Sequence, residues 1–104
     1  MDTGFAFVDS KAIPWRQSTT AAGVDVKDLG TANGRSMELV RCQPGTAFPP
    51  HTHPGPEFVF VLEGEAVQSG QVLTPGWAAV AEAGSLDRNF HCPSSCLFLI
   101  VYSQ

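Results

Sequence analysis

Hydrophobic and polar residues alternate along this chain in short runs, and no run is long enough to suggest a helix of any length. Residues 23–29 set Val24 and Val26 against Asp25 and Lys27 and break at Gly30. Such a two-residue period belongs to a strand with one buried face. Residues 37–42, 58–62, 65–68, 71–73, 77–81, 90–91 and 97–102 read as further strands, and residues 5–8 as one more short one. Pro44-Gly45, Ser69-Gly70, Pro75-Gly76 and Ala83-Gly84 punctuate them, and Glu63-Gly64 reads as a tight turn from which residues 65–68 return. Residues 48–56 carry four prolines and two histidines. They form an extended edge or loop, because proline has no N–H to give to a ladder. A helical turn near residues 25–29 is the one weak alternative. Some eight short strands at regular spacing predict an all-β sandwich or barrel.

Parity within the strongest strand assigns its faces. If Glu57 points inward, Val59 and Val61 line the interior and Phe58, Phe60 and Leu62 face outward. An outward aromatic row suggests packing against another sheet or subunit.

With 104 residues the chain suits one domain. Residues 1–22 read as an N-terminal arm or strand, and residues 23–104 as the β-barrel domain. The charged fraction, 15%, is below the usual quarter or so, so part of the surface is expected to be covered, most simply in a homodimer. The net charge of -4, with no run of Lys or Arg, argues against nucleic-acid binding. No apolar stretch approaches the roughly 20 residues of a membrane span. The start, Met1-Asp2-Thr3-Gly4-Phe5, lacks the basic and apolar regions of a signal peptide, so a cytoplasmic location is expected. Cys42, Cys92 and Cys96 are odd in number and are expected to be reduced, partly buried thiols. No G-x-S-x-G elbow or glycine-rich phosphate loop occurs, and nucleotide or flavin cofactors are not expected. Arg41, Arg88 and Asn89 are candidates for orienting an anionic substrate, though lone polar residues of this kind are more often simply solvated.

The chemistry concentrates between Gly45 and Gly64. His51 and His53 are two apart, so on an extended chain they reach one point, and Glu57 lies a further even step along. Two imidazoles and a carboxylate suit a first-row divalent metal.

Gly45, His51, His53, Glu57 and Gly64 match every fixed position of the first cupin motif, G-x5-H-x-H-x3-4-E-x6-G. The chain thus resembles the cupins. It is more particularly similar to the ChrR-like cupins through Trp15, residues 23–29, Pro44-Gly45, residues 51–57 and Val61-Leu62-Glu63-Gly64. The resemblance covers residues 15–101. It implies a small RmlC-like jelly-roll β-barrel holding a divalent metal (Fe, Mn, Zn or Ni) on His51, His53 and Glu57. The second cupin motif is half present: Gly70 and Ala83-Gly84 resemble its frame, Asp87 stands where the fourth ligand His belongs, and His91 stands where Asn belongs. Asp87 and His91 are four apart and share a face on a regular strand. Asp87 is the favoured fourth ligand, with His91 beside the cavity as a catalytic acid or base; the roles can also be exchanged. The functional expectation is a metal-dependent enzyme of oxygenase, isomerase or hydrolase type acting on a small organic molecule. The alternative is a non-catalytic ligand- or metal-sensing module related to the cupin domain of the ChrR anti-sigma factor.

Overall fold

A computed structural model describes residues 4–87 and 89–104 of the chain. Among the described residues there are strands and one 3-10 turn, Ser10–Ala12, and no α-helix. The larger sheet is antiparallel and six-stranded. Its order is β1 (Arg16–Gln17), β2 (Val24–Ala32), β3 (Arg35–Cys42), β12 (Cys96–Ser103), β6 (Glu57–Gly64) and β9 (Ala78–Ala81). A four-stranded sheet runs β4 (Thr46–Ala47), β11 (Phe90–Cys92), β7 (Ala66–Gln68), β8 (Gln71–Leu73). A third pair joins β5 (His51–Thr52) to β10 (Leu86–Asp87). The layers share one core in jelly-roll fashion. The sheets do not close into a continuous hydrogen-bonded barrel, a looser arrangement than the sequence suggests.

The core follows the alternation. Val24 and Val26 of β2, Val40 and Cys42 of β3, Val61 of β6 and Phe98 of β12 are buried from one sheet; Ala66, Leu73, Phe90 and Cys92 come from the other. Phe48, Phe90 and Phe98 meet edge to face, with ring centroids 5.1 to 6.5 Å apart. That geometry adds about 0.5–1.5 kcal/mol per pair beyond the area buried. The three cysteines are free and buried within this core. A hydrogen bond with Cys42, together with burial, pushes the Cys92 thiol up to about 12, and contact with Cys92 pushes Cys96 up as well. Thiols so held are unreactive at neutral pH.

Several local expectations change. Residues 5–8 form no strand. Gly30 does not end β2: the register shifts between Asp28 and Gly30, and the strand runs on to a hairpin turn at Asn33-Gly34, both at positive φ. An Asn-Gly pair is the preferred occupant of such a turn. Glu63-Gly64 is not a hairpin turn either, because β6 and β7 lie in different sheets. Gly64, at φ 77°, is a corner between layers, where a Cβ would overlap the Ser95 carbonyl oxygen.

The arm is tied to both faces of the larger sheet, through Trp15 on the outer face and Arg16 on the inner one. Trp15 packs under Lys27 Nζ and the Arg41 guanidinium, 4.9 and 4.2 Å from its ring. Arg16 makes two hydrogen bonds to Asp28, of 2.7 and 2.8 Å. Cation–π contacts and a bidentate pair of this kind hold a short strand whose own ladder is only two residues long.

Candidate metal centre

His51, His53 and Glu57 come together. The ligand atoms they offer all lie within 4.8 Å of one another. His51 is exposed, His53 is buried and Glu57 is half-buried at the start of β6. Each is placed by backbone. The β5–β10 pairing fixes His51 opposite Asp87. The His53 N–H donates to Ser85 O at 3.0 Å, and the Gly84 N–H donates to His53 O at 2.8 Å. Glu57 shares the inward parity of Val59 and Val61.

Hydrogen bonding selects the tautomer of both imidazoles. His51 Nδ1 lies 3.1 Å from Pro49 O, and a carbonyl only accepts, so Nδ1 carries the proton. His53 Nδ1 lies 3.0 Å from Ser85 Oγ. That hydroxyl gives its single proton to Glu82 O at 2.6 Å, so again Nδ1–H must donate. In the neutral ring Nε2 is therefore the atom that carries the lone pair. The Nε2 of His53 stands 2.7 Å from Glu57 Oε2. Two lone-pair atoms tolerate that separation only with a proton or a cation between them. Metal-ligating histidines typically have their other nitrogen tied to an acceptor in this way. Neighbouring ligands of a tetrahedral ion with bonds near 2.1 Å stand about 3.4 Å apart. The observed spread thus closes with a small movement of exposed His51, and the residues fit a first-row divalent ion.

The three side chains line a cavity of about 510 Å³. The rest of its wall is largely apolar, supplied by Val24, Val26, Val40, Phe48, Phe98 and Ile100. His53 and Glu57 also border a second hollow of about 320 Å³, on the side of Ser69 and Ser85.

The other sequence candidates fare differently. The expected ligand role of Asp87 turns on a side chain that lies outside what is described, as does Arg88. The structure does not bring His91 to the cluster. Asp87 ends β10 and His91 lies in β11, and the two strands belong to different sheets, so the shared-face argument does not carry across. Phe90 and Cys92 face the core, and His91 is exposed on the opposite side of β11. Arg41 is on the outer face, 3.0 Å from Asp25 and stacked on Trp15. Asn89 is exposed.

Two wall residues escape the motifs. Glu38 is 8% exposed, and its Oε2 accepts a 2.7 Å hydrogen bond from the Tyr102 hydroxyl. Desolvation raises the Glu38 carboxyl, outweighing the opposing hydrogen bond from Tyr102. Burial and the Glu38 contact push Tyr102 up to about 12. A signal existed: Glu38 shares parity with Ser36, Val40 and Cys42, which makes it an acidic residue on a buried face.

Among the described residues no helix is long and apolar enough to cross a membrane. A family model described as the ChrR Cupin-like domain matches residues 3–104. Among solved structures, one is described as a candidate acetylacetone dioxygenase from Methylibium petroleiphilum PM1. It is 18% identical, with a TM-score of 0.87, over 99% of this chain and 79% of that one. An acetylacetone dioxygenase from Acinetobacter johnsonii is 14% identical, with a TM-score of 0.80, over 99% and 75%. The Rhodobacter sphaeroides complex of SigE with the anti-sigma ChrR matches at 23% identity and a TM-score of 0.77, over 89% of this chain and 51% of that one. The chain thus spans about half the length of that last match, and all three likenesses are of fold. A comparison with curated proteins gives no significant match.

Proposed function

The chain belongs to the ChrR cupin-like family, and from that premise we propose that it is a metal-dependent enzyme acting on a small organic molecule. The observation that carries this reading is the placement of His51, His53 and Glu57 on the wall of an apolar cavity. Two histidines and one carboxylate leave coordination positions open, and those positions face space for a ligand. A first-row divalent ion held there supplies Lewis acidity toward a chelating pair of oxygens and, in the case of iron, the capacity for O2 chemistry. Asp87, registered opposite His51, is the fourth ligand in this reading.

The protein's own part is orientation and exclusion of water. Pro49 O and Ser85 Oγ hold the imidazoles in the ligating tautomer. Phe48, Phe98 and the valines of β2 and β3 keep the bound molecule in a poorly hydrated space, where polar interactions strengthen. The likeness to acetylacetone dioxygenases makes a β-dicarbonyl the first substrate to try. Oxygen consumption on adding acetylacetone to iron(II)-loaded protein, absent in Glu57→Ala, supports the reading. Full metal loading without turnover of acetylacetone or of other chelating oxygen compounds contradicts it.

A sensing role is the second reading, favoured by the family description and by the likeness to ChrR. In that case ligand binding changes the shape or stability of the protein without turnover.

We also propose a homodimer through the outer face of the larger sheet. Cross-strand register lines up Met37, Val101, Phe58 and Val80 in one row, and Leu39, Leu99, Phe60 and Ala78 in the next. Met37, Phe58, Phe60 and Val80 are 40 to 66% exposed. Two adjacent uncharged rows, each four strands wide, are self-complementary to a second copy related by a two-fold axis.

A further inference from the structure

The cavity wall carries one polar assembly besides the metal ligands, built around Glu38 and Tyr102. Gln104 Nε2 donates to Ser36 Oγ at 2.6 Å. Ser36 stands opposite Tyr102 in the β3–β12 register, on the same inner face. Tyr102 passes its own proton to Glu38 Oε2 at 2.7 Å. The Tyr102 proton is spent on a carboxylate, so acceptor positions are what this corner has left to offer; a carboxylate has about four and Tyr102 occupies one.

The charge on Glu38 is poorly matched within the fold. Among the described residues Arg16 is the cation that approaches it, at 3.6 Å, but it is committed to Asp28 through two shorter bonds. Asp28 itself stands opposite Glu38 in the β2–β3 register and adds a like charge. One guanidinium thus serves two carboxylates, and the site is one positive charge short. Burial of an incompletely matched carboxylate on the wall of a cavity has no folding gain to explain it, and such groups cluster where ligands bind.

Register places this corner relative to the metal ligands. Val101 pairs with Phe58, so the next residues, Tyr102 and Glu57, stand opposite each other on the inner face of β12 and β6. Glu38 lies two strands from β6, in the row of Ile100 and Val59. At about 4.8 Å per strand that is roughly 10 Å.

We propose that Glu38 and Tyr102 form a second recognition subsite of the cavity, which takes the protonated amine of a small molecule whose chelating oxygens sit on the metal held by His51, His53 and Glu57. This proposal rests on the metal-site reading above and deepens it by naming the substrate class. The ligand supplies both the missing charge and the hydrogen-bond donors, while its apolar middle lies along Ile100, Phe98 and Val40.

The test uses full-length protein loaded with cobalt(II) and alkyl hydroxamates of several chain lengths, each paired with the analogue bearing a terminal amine. Binding is followed through the cobalt absorption bands. At the best-fitting length the amine-bearing probe binds about tenfold more tightly or better, the worth of one hydrogen bond to a charged group. In Glu38→Gln that preference collapses to within about twofold, while the affinity of the plain hydroxamate is kept. Tyr102→Phe, which leaves the carboxylate in place, reduces the preference without abolishing it. Equal affinity for both members of every pair overturns the subsite, as does a preference that survives Glu38→Gln. A purely structural Glu38 would lower the melting temperature on substitution and leave the ratio of affinities unmoved. Failure of cobalt to bind at His51, His53 and Glu57 overturns both readings; plain hydroxamate binding without amine preference overturns only this one.

Discussion

Ser85 decides which nitrogen of His53 faces Glu57. Its hydroxyl is spent on Glu82 O at 2.6 Å, so it can only accept the His53 Nδ1–H at 3.0 Å. Nε2 is then the nitrogen directed at Glu57 Oε2, 2.7 Å away, with room between them only for a proton or a metal ion. Ser85→Ala removes that constraint and should weaken metal affinity by about 10- to 100-fold, the usual cost of losing the partner of a ligating histidine. Competition with a chromogenic chelator measures it. Unchanged affinity would mean that backbone bonds alone orient the ring.

The Glu38 carboxyl is raised from its ordinary 4.5 by burial. The folded state then holds this proton more tightly than the unfolded one. The associated stability is complete below about pH 4.5 and is lost as pH rises through the folded-state value. Gln imitates the protonated side chain. The melting temperature of Glu38→Gln should match wild type near about pH 4 and move above it as pH rises toward about 8. A difference that stays constant, or that favours wild type increasingly at higher pH, would refute the assignment.

Gly64 turns the chain from one sheet to the other at φ 77°, against the Ser95 carbonyl. Gly64→Ala combines left-handed backbone strain of about 1–2 kcal/mol with a steric overlap that only backbone movement relieves. A loss of at least about 2 kcal/mol is expected, or some 10 °C in melting temperature for a domain of this size. Gly70→Ala, also at positive φ but with nothing within 4 Å of the added Cβ, should cost clearly less. Equal losses in the two variants would show that the Ser95 contact is unimportant.

Phe58 and Phe60 sit at the centre of the outer apolar rows. If that face joins two copies, light scattering should give the mass of two chains for wild type and of one for Phe58→Lys/Phe60→Lys, with the fold retained by circular dichroism. A monomeric wild-type protein at micromolar concentration would contradict the interface.

The strands of the core and the cluster at His51, His53 and Glu57 were legible because both depend on local parity. Val24/Val26, Val59/Val61 and the His-x-His pair each need only an extended chain to share a face. What stayed hidden depends on pairing between distant segments. Arg16–Gln17 is a strand only because β2 is beside it, and Leu86–Asp87 only because β5 is. The even spacing from Asp87 to His91 suggested one shared face, but β10 and β11 lie in different sheets and His91 turns outward. Ser85 and Glu38 act through partners 32 and 64 residues away in sequence, which no motif spacing encodes.

The central claim is that His51, His53 and Glu57 hold a metal. Elemental mass spectrometry of the purified protein, side by side with a His51→Ala/His53→Ala variant of the same fold, tests it most directly. The account predicts close to one first-row divalent ion per chain in wild type and almost none in the variant. Equal metal content in the two proteins would contradict it.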